Sequence, residues 1–155
     1  MPDQLPPKLA ELLKIFESMN SEEERVTLLL DYAEQFREAP ATIATRPFPE
    51  EHRVSFCESE AYVWVLPQQD GRLTLHFAVE NPSGVSAKAL ATILEKTLSG
   101  ETPEDIANIP DDIVFRIFRQ NISMGKGMGL MSMVQTVKNH ARRHTSDSAS
   151  PVEER

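Results

Sequence analysis

Apolar residues in the first quarter of the chain recur at helical spacing. One stripe, at positions i, i+3, i+4 and i+7, consists of Leu9, Leu12, Leu13 and Phe16. This stripe predicts an amphipathic helix over residues 6–18. Ser21 followed three residues later by Glu24 forms a capping box, which predicts that a second helix begins here and runs towards Glu38. We expect the two helices to form a hairpin, because only a short connection separates them.

The period of the apolar pattern changes to two between residues 52 and 80, which is typical of β-strands. Alternation around Val54, Val63 and Leu75 predicts three strands in meander order. Asp70-Gly71 predicts a tight turn between the second and third strands, since glycine accepts the positive φ of such turns. The Pro-rich residues 39–50 precede this region and predict an extended connector.

The middle strand is apolar on both faces, because Tyr62, Trp64 and Leu66 alternate with Ala61, Val63 and Val65. This pattern indicates either that helices cover part of both faces or that one face meets a partner. The turn between the first two predicted strands contains Cys57, Glu58 and Ser59.

Helical patterns return in the second half of the chain. They predict a helix over 86–98, a short helical turn from 102, a helix from about 111, and a last helix over 128–143. Residues 123–129 contain three glycines, which favours either a loop or the entry to the last helix over a helix interior. We therefore predict an α+β fold in one domain, residues 1–143, and a polar, disordered tail over 144–155.

Composition and charge argue against some classes of function. The chain of 155 residues is 40% hydrophobic and carries a formal net charge of -8, which argues against general nucleic-acid binding. Residues 1–60 hold 13 acidic and 6 basic residues, whereas residues 116–143 hold six basic residues and none that is acidic. This asymmetry suits a charged protein partner, and it equally suits balance within one molecule. No stretch resembles a membrane span or a signal peptide, so we expect a cytoplasmic protein.

Cys57 is the only cysteine in the chain. A single thiol cannot close an internal disulfide, form a Cys-x-x-Cys pair or supply the several thiolates of a cluster site. Two interpretations remain open from the residues alone. Cys57 is either a nucleophile at an accessible turn or a small buried hydrophobe.

The other motifs give weaker evidence for a binding or reactive site. The glycine-rich segment around Lys126 lacks the spacing of a phosphate-binding loop. His140 and His144 have the i, i+4 spacing of a metal pair, but the sequence offers no third ligand and Arg142 and Arg143 flank them. We therefore predict no cofactor and no metal in this chain.

Three segments of the chain resemble the SufE family of sulfur acceptors, and the shortest, Lys88-Ala89-Leu90, resembles the family's basic-Gly-Leu on the helix after the sheet. Residues 54–62 resemble the family segment Val-x-Gly-Cys-x-Ser-x-Val-Trp: Cys57 and Ser59 match, whereas Phe56 replaces glycine and Tyr62 replaces tryptophan. Residues 121–130 resemble the family motif His-Leu-(Ser/Thr)-Pro-x-Arg-x-x-Gly-Leu. The residues that match this second motif are Ser123, Gly129 and Leu130. Lys126 stands where the family has arginine, so the planar fork of a guanidinium is lost.

The resemblance implies a three-stranded antiparallel sheet packed with helices, similar to cluster scaffolds of the IscU type. It further implies that Cys57 accepts persulfide sulfur from a cysteine desulfurase of the SufS type, stimulates that enzyme, and passes sulfur to a downstream iron–sulfur scaffold. Pyridoxal phosphate would belong to the desulfurase. Glu58, Ser59, Lys126 and Gly129 are the expected loop or partner contacts.

Chemistry adds one expectation to the resemblance. A persulfide needs shelter from water and thiols, and Phe56, Tyr62 or the methionines within residues 124–131 are the expected cover for the sulfur. The alternatives are a cluster scaffold and a non-catalytic interaction protein of the same fold. Both a monomer and a homodimer remain open.

Overall fold

The computed structural model describes residues 5–119 and 124–149. The elements in chain order are α1 (Pro7–Ser18), α2 (Glu22–Glu34), β1 (Ala61–Pro67), β2 (Leu73–Val79), α3 (Val85–Leu98), α4 (Pro103–Ala107), α5 (Ile113–Phe118) and α6 (Met124–Ala149). Helices pack around an antiparallel sheet, so the predicted α+β class is confirmed. No helix in this described part of the chain has the length and hydropathy to cross a membrane.

The first two helices form as their apolar stripes predict. The predicted stripe of α1 is buried completely or almost so. The Ser21 hydroxyl accepts a hydrogen bond from the Glu24 amide at 3.0 Å, which satisfies one of the free N–H groups at the start of α2. Helix α2 packs on α3, and α3 packs in turn on β2. The central helix α3 is therefore covered on both sides, with Leu90, Ile93 and Leu94 fully buried.

The prediction of three strands is wrong, since the described residues contain a sheet of two. Strands β1 and β2 pair from Ala61↔Val79 to Pro67↔Leu73, and the predicted tight turn carries Gly71 at φ 89°. The segment around Val54 makes one isolated bridge with β1, through Arg53 and Tyr62, instead of a ladder.

Two features of the chain prevent a third ladder. A 3-10 turn at Glu50–His52 and a left-handed residue at Phe56, with φ 58°, leave too few extended residues between them. The free edge of β1 is instead bonded by histidine side chains. His52 Nδ1 donates to the Val63 carbonyl at 2.9 Å, and His144 Nε2 donates to the Val65 carbonyl at 3.2 Å.

The second apolar face of β1 is covered mainly by the Pro-rich connector. Phe48 packs edge-on against Trp64 with ring centroids 5.3 Å apart, and the Arg46 guanidinium lies 5.0 Å from the Phe48 ring centre. Arg46 also bonds to Glu38 and Glu80, which ties the connector to the residue before it and to the chain that follows β2. The face that sequence left open to helices or to a partner is thus closed by an extended segment of the chain itself.

Helix α6 is longer than predicted at both ends. It begins at Met124, so the glycine-rich segment forms the entry to the helix, which is one of the two alternatives that the sequence left open. It ends at Ala149, so the predicted tail of 144–155 overlaps the helix, and residues 150–155 lie outside the described part of the chain. The helix packs on β1 and α4.

His140 on α6 makes stability depend on pH. His140 is only 8% exposed. This burial, together with the nearby charge of Arg143, lowers the pKa of His140 to about 4. The unfolded chain binds this proton near pH 6.5, whereas the folded chain does not bind it until about pH 4. We therefore expect the free energy of unfolding to fall as pH drops through this window.

Urea unfolding at pH 7 and pH 5 measures this effect. The His140→Gln variant should lose less stability between the two pH values than the wild type. His76→Gln, on the half-buried side of β2, is the control and should keep the wild-type difference. An unchanged pH dependence in His140→Gln would contradict the assignment.

Candidate functional site: the Cys57 loop

Cys57 begins a tight turn that is held by main-chain hydrogen bonds. The Glu60 amide donates to the Cys57 carbonyl at 3.0 Å, and both Phe56 and Glu60 adopt left-handed φ angles of 58° and 56°. The Asn81 amide donates to the Ser59 carbonyl at 3.0 Å. This bond ties the turn to the chain that follows β2, so the position of the thiol depends on the sheet as well as on the turn.

Two glycines let two helices reach the turn. A Cβ on Gly129 of α6 would lie 3.0 Å from the Phe56 carbonyl oxygen and 3.2 Å from the Cys57 Cα. A Cβ on Gly84, which precedes α3, would lie 2.7 Å from the Ser59 Oγ. The turn is therefore clasped between the second turn of α6 and the start of α3, at distances shorter than those of most Cβ contacts in proteins.

Cys57 is buried, with 9% of its surface exposed, and belongs to the main core cluster. It nevertheless lines two surface clefts. One cleft, of about 260 Å³, is bounded by the Cys57 turn, the start of α3 and the start of α6. The other, of about 370 Å³, lies between Phe56 and Met128. The residue thus combines properties of both interpretations, because it packs like a core residue and also forms part of an open cleft wall.

The five residues singled out from sequence come together in space. The 260 Å³ cleft is lined by all of them: Cys57, Glu58, Ser59, Lys126 and Gly129. Lys126 and Gly129 are about 70 positions from the thiol along the chain, and the fold brings them beside it through α6. Their roles in sulfur transfer remain predictions.

Residues 81–87 form a wall of this cleft that was not expected from the sequence. Asn81 Oδ1 accepts hydrogen bonds from both the amide and the hydroxyl of Ser83, each at 2.9 Å, which shapes the turn into α3. This wall also includes Gly84 and Ala87. The Asn-Pro-Ser-Gly sequence predicts a turn, but no pattern in the chain indicates that this turn faces Cys57.

The predicted shelter of the sulfur is wrong for two residues. Phe56 is 75% exposed, and Tyr62 packs with Phe48 on the opposite face of β1. Among the methionines of residues 124–131, Met128 is half-exposed and Met131 packs against the core cluster that contains Cys57, whereas the side chain of Met124 lies outside the described part of the chain. The close packing of α6 against the turn, rather than an aromatic cover, buries the thiol.

The other candidate residues lie elsewhere. His140 and His144 lie on α6, beside the edge of β1. The ring centroids of His140 and His52 are 6.1 Å apart. Within residues 5–119 and 124–149, no group of three or more His, Cys, Asp or Glu side chains is arranged to hold a metal ion. Ser123, which matches the second family motif, lies outside the described residues.

Comparisons with known proteins agree on one family. The profile described as "SufE: Fe-S metabolism associated domain" matches residues 10–141. The chain is 30% identical over 140 residues to "SufE-like protein 1, chloroplastic/mitochondrial" of Arabidopsis thaliana. The aligned region covers 90% of this chain but only 36% of the length of that protein. The solution structure of a hypothetical protein from Thermus thermophilus is similar, with a TM-score of 0.69 at 26% identity over 92% of this chain and 99% of that one.

Two glycines of α6 offer a matched test of the contact between helix and turn. Alanine is favoured over glycine in a helix by up to about 1 kcal/mol, so a substitution without steric conflict should stabilise the protein. Gly125→Ala meets nothing within 4 Å and should show this gain. Gly129→Ala meets main-chain atoms of Phe56 and Cys57 and should instead displace the turn.

Urea unfolding and the rate of Cys57 modification by a disulfide reagent report the two effects. We expect Gly129→Ala to lose the stability gain and to react faster than the wild type, while Gly125→Ala reacts at the wild-type rate. Equal behaviour of the two variants would show that the turn does not depend on the contact.

The left-handed conformation of Phe56 predicts that glycine is more stable at this position. A bulky residue with positive φ costs about 1–2 kcal/mol, and the loss of backbone freedom by glycine offsets part of the gain. Because the side chain is 75% exposed, little burial is lost on its removal. Phe56→Gly should raise the free energy of unfolding by about 1 kcal/mol in urea. A lower free energy of unfolding for Phe56→Gly than for the wild type would show that the left-handed backbone at Phe56 is not strained.

Proposed function

We propose a sulfur-carrier function for this chain, which belongs to the SufE family of Fe-S metabolism associated domains. In this proposal a cysteine desulfurase of the SufS type donates a sulfur atom to Cys57, and a downstream iron–sulfur scaffold receives it. The observation that carries the proposal is the position of Cys57. The chain's only thiol forms part of the wall of two clefts on a turn that two helices clasp.

The transfer step is a thiol–persulfide exchange. The Cys57 thiolate attacks the terminal sulfur of a persulfide on a cysteine of the desulfurase. A new S–S bond forms at Cys57, and the S–S bond on the desulfurase breaks. Its electron pair leaves with the desulfurase cysteine as a thiolate, while the terminal sulfur and its hydrogen remain on Cys57. No oxidant or reductant is consumed, because one S–S bond replaces another.

The surroundings of Cys57 suit storage of a persulfide. The thiol is buried on the side of the core, and within the described residues it borders two clefts through which small thiols approach. The 260 Å³ cleft is large enough for an additional sulfur atom beside Cys57, since a water molecule occupies about 30 Å³. Restricted access slows the reduction of the persulfide by solvent thiols, which is the main hazard to a carrier.

The division of labour follows from the same chemistry. Cleavage of the carbon–sulfur bond of cysteine requires an electron sink, which pyridoxal phosphate supplies on the desulfurase. This chain contributes the acceptor. By removing sulfur from the desulfurase cysteine, the acceptor frees that cysteine for another turnover and thereby stimulates the enzyme.

Mass spectrometry tests the proposal directly. The purified chain is mixed with a SufS-type desulfurase and cysteine, and the intact mass is measured without reductant. We expect a gain of about 32 Da, one sulfur atom, on the wild type. The gain should vanish on reduction and be absent from Cys57→Ser, which keeps the size of the side chain. No gain on the wild type, or an equal gain on Cys57→Ser, would reject the proposal.

A further inference from the structure

Phe56 is exposed in a conformation that phenylalanine disfavours. Its φ of 58° lies in the left-handed region, and 75% of its surface is exposed, more than that of any other large hydrophobic residue in the described chain. Because the ring is exposed, its burial contributes little free energy to offset the cost of the left-handed backbone. Contacts within the folded chain therefore do not explain this conformation. Strain of this kind clusters at functional sites, where another requirement maintains it.

The Phe56 ring stands beside the reactive atom. Phe56 immediately precedes Cys57, and both line the 370 Å³ cleft together with Met128. Val85 lines the other cleft that Cys57 borders. Met128 is 51% exposed and Val85 is 42% exposed, so three of the exposed large hydrophobic residues in the described chain surround one thiol. We call Phe56, Val85 and Met128 the apolar collar.

The charge around the apolar collar differs from that of the whole molecule. Arg53 and Lys126 line the two clefts, and Glu58 is the only acidic residue among the residues that line them. The chain as a whole carries a net charge of -8. The residues that line the clefts therefore have a small positive excess on an acidic protein, although the exposed Glu50 lies 3.6 Å from Arg53. This excess suits a partner with acidic groups around an apolar pocket.

From these observations we infer that Phe56 is a docking anchor, whose ring enters an apolar, acid-rimmed pocket on the protein that donates sulfur to Cys57. The inference rests on the proposed function, because only a donor that reaches Cys57 must also cover the apolar collar. A buried aromatic side chain at the centre of an interface commonly dominates its affinity. The left-handed backbone directs the ring outwards, while Cys57 stays packed against α6.

Phe56→Gly separates docking from folding, because it removes the ring and relieves the backbone at once. Persulfide formation on Cys57 is measured against the concentration of the chain, with a SufS-type desulfurase and cysteine. We expect the half-saturating concentration to rise about tenfold or more, with little change in the plateau rate. Phe56→Tyr keeps an aromatic ring and should stay near the wild type.

Two controls isolate the interface. Phe115→Ala removes a half-exposed ring that lines a different cleft, and it should leave the half-saturating concentration unchanged. A small persulfide, such as glutathione persulfide, needs no docking pocket and should modify Phe56→Gly at least as fast as the wild type, because loss of the ring widens the cleft beside Cys57. A half-saturating concentration within twofold of the wild type for Phe56→Gly would overturn the inference.

Direct binding keeps this inference distinct from the proposed function. Calorimetry compares the affinity of the desulfurase for Cys57→Ser and for the double variant Cys57→Ser with Phe56→Gly, neither of which can accept sulfur. An affinity at least about tenfold weaker in the double variant supports the anchor even if the wild type gains no sulfur, which would reject the carrier function alone. Equal affinities, or no binding by Cys57→Ser, reject the anchor.

Discussion

The close approach of two helices to one turn is the constraint on which the site depends. Gly129 and Gly84 lack the Cβ atoms that would crowd the Cys57 turn, so α6 packs directly on its main chain and the residue before α3 packs on the Ser59 side chain. This contact buries the thiol without covering it by a large side chain. The two clefts lie beside this same contact, since Gly129 of α6 and Gly84 line the one cleft and Phe56, Gly125 and Met128 line the other. Burial and access of Cys57 thus have one structural origin.

The sheet is small because side chains replace a strand. Histidines bond to carbonyl groups at the free edge of β1, and the Pro-rich connector covers the second face through Phe48 and Trp64. The residues before Cys57 are thereby released from a regular ladder and are free to adopt the left-handed turn. A regular third strand through Phe56 would demand an extended backbone there, and the thiol would not reach the contact with α6.

Much of the architecture could be predicted because its signals are local. The stripe of α1, the N-cap at Ser21 and the turn at Gly71 each depend on neighbours within a few positions, and all three are present. The prediction of a third strand was wrong because the alternation of apolar and polar residues around Val54 does not show whether the edge of another strand is available for pairing. The length of α6 was underestimated because three glycines disfavour a helix locally, whereas tertiary packing at Gly129 requires one of them.

The amino-acid sequence singles out Cys57, because no second cysteine can pair with it within the chain and its flanking residues resemble those of the SufE family. It also pointed to Lys126 and Gly129, through a second motif. Only the tertiary structure decided that these residues share a cleft with Cys57, that residues 81–87 complete its wall, and that Phe56 faces solvent. The reason is physical: residue types and spacing record local preferences, whereas the approach of α3 and α6 to the turn depends on contacts between segments distant in the chain.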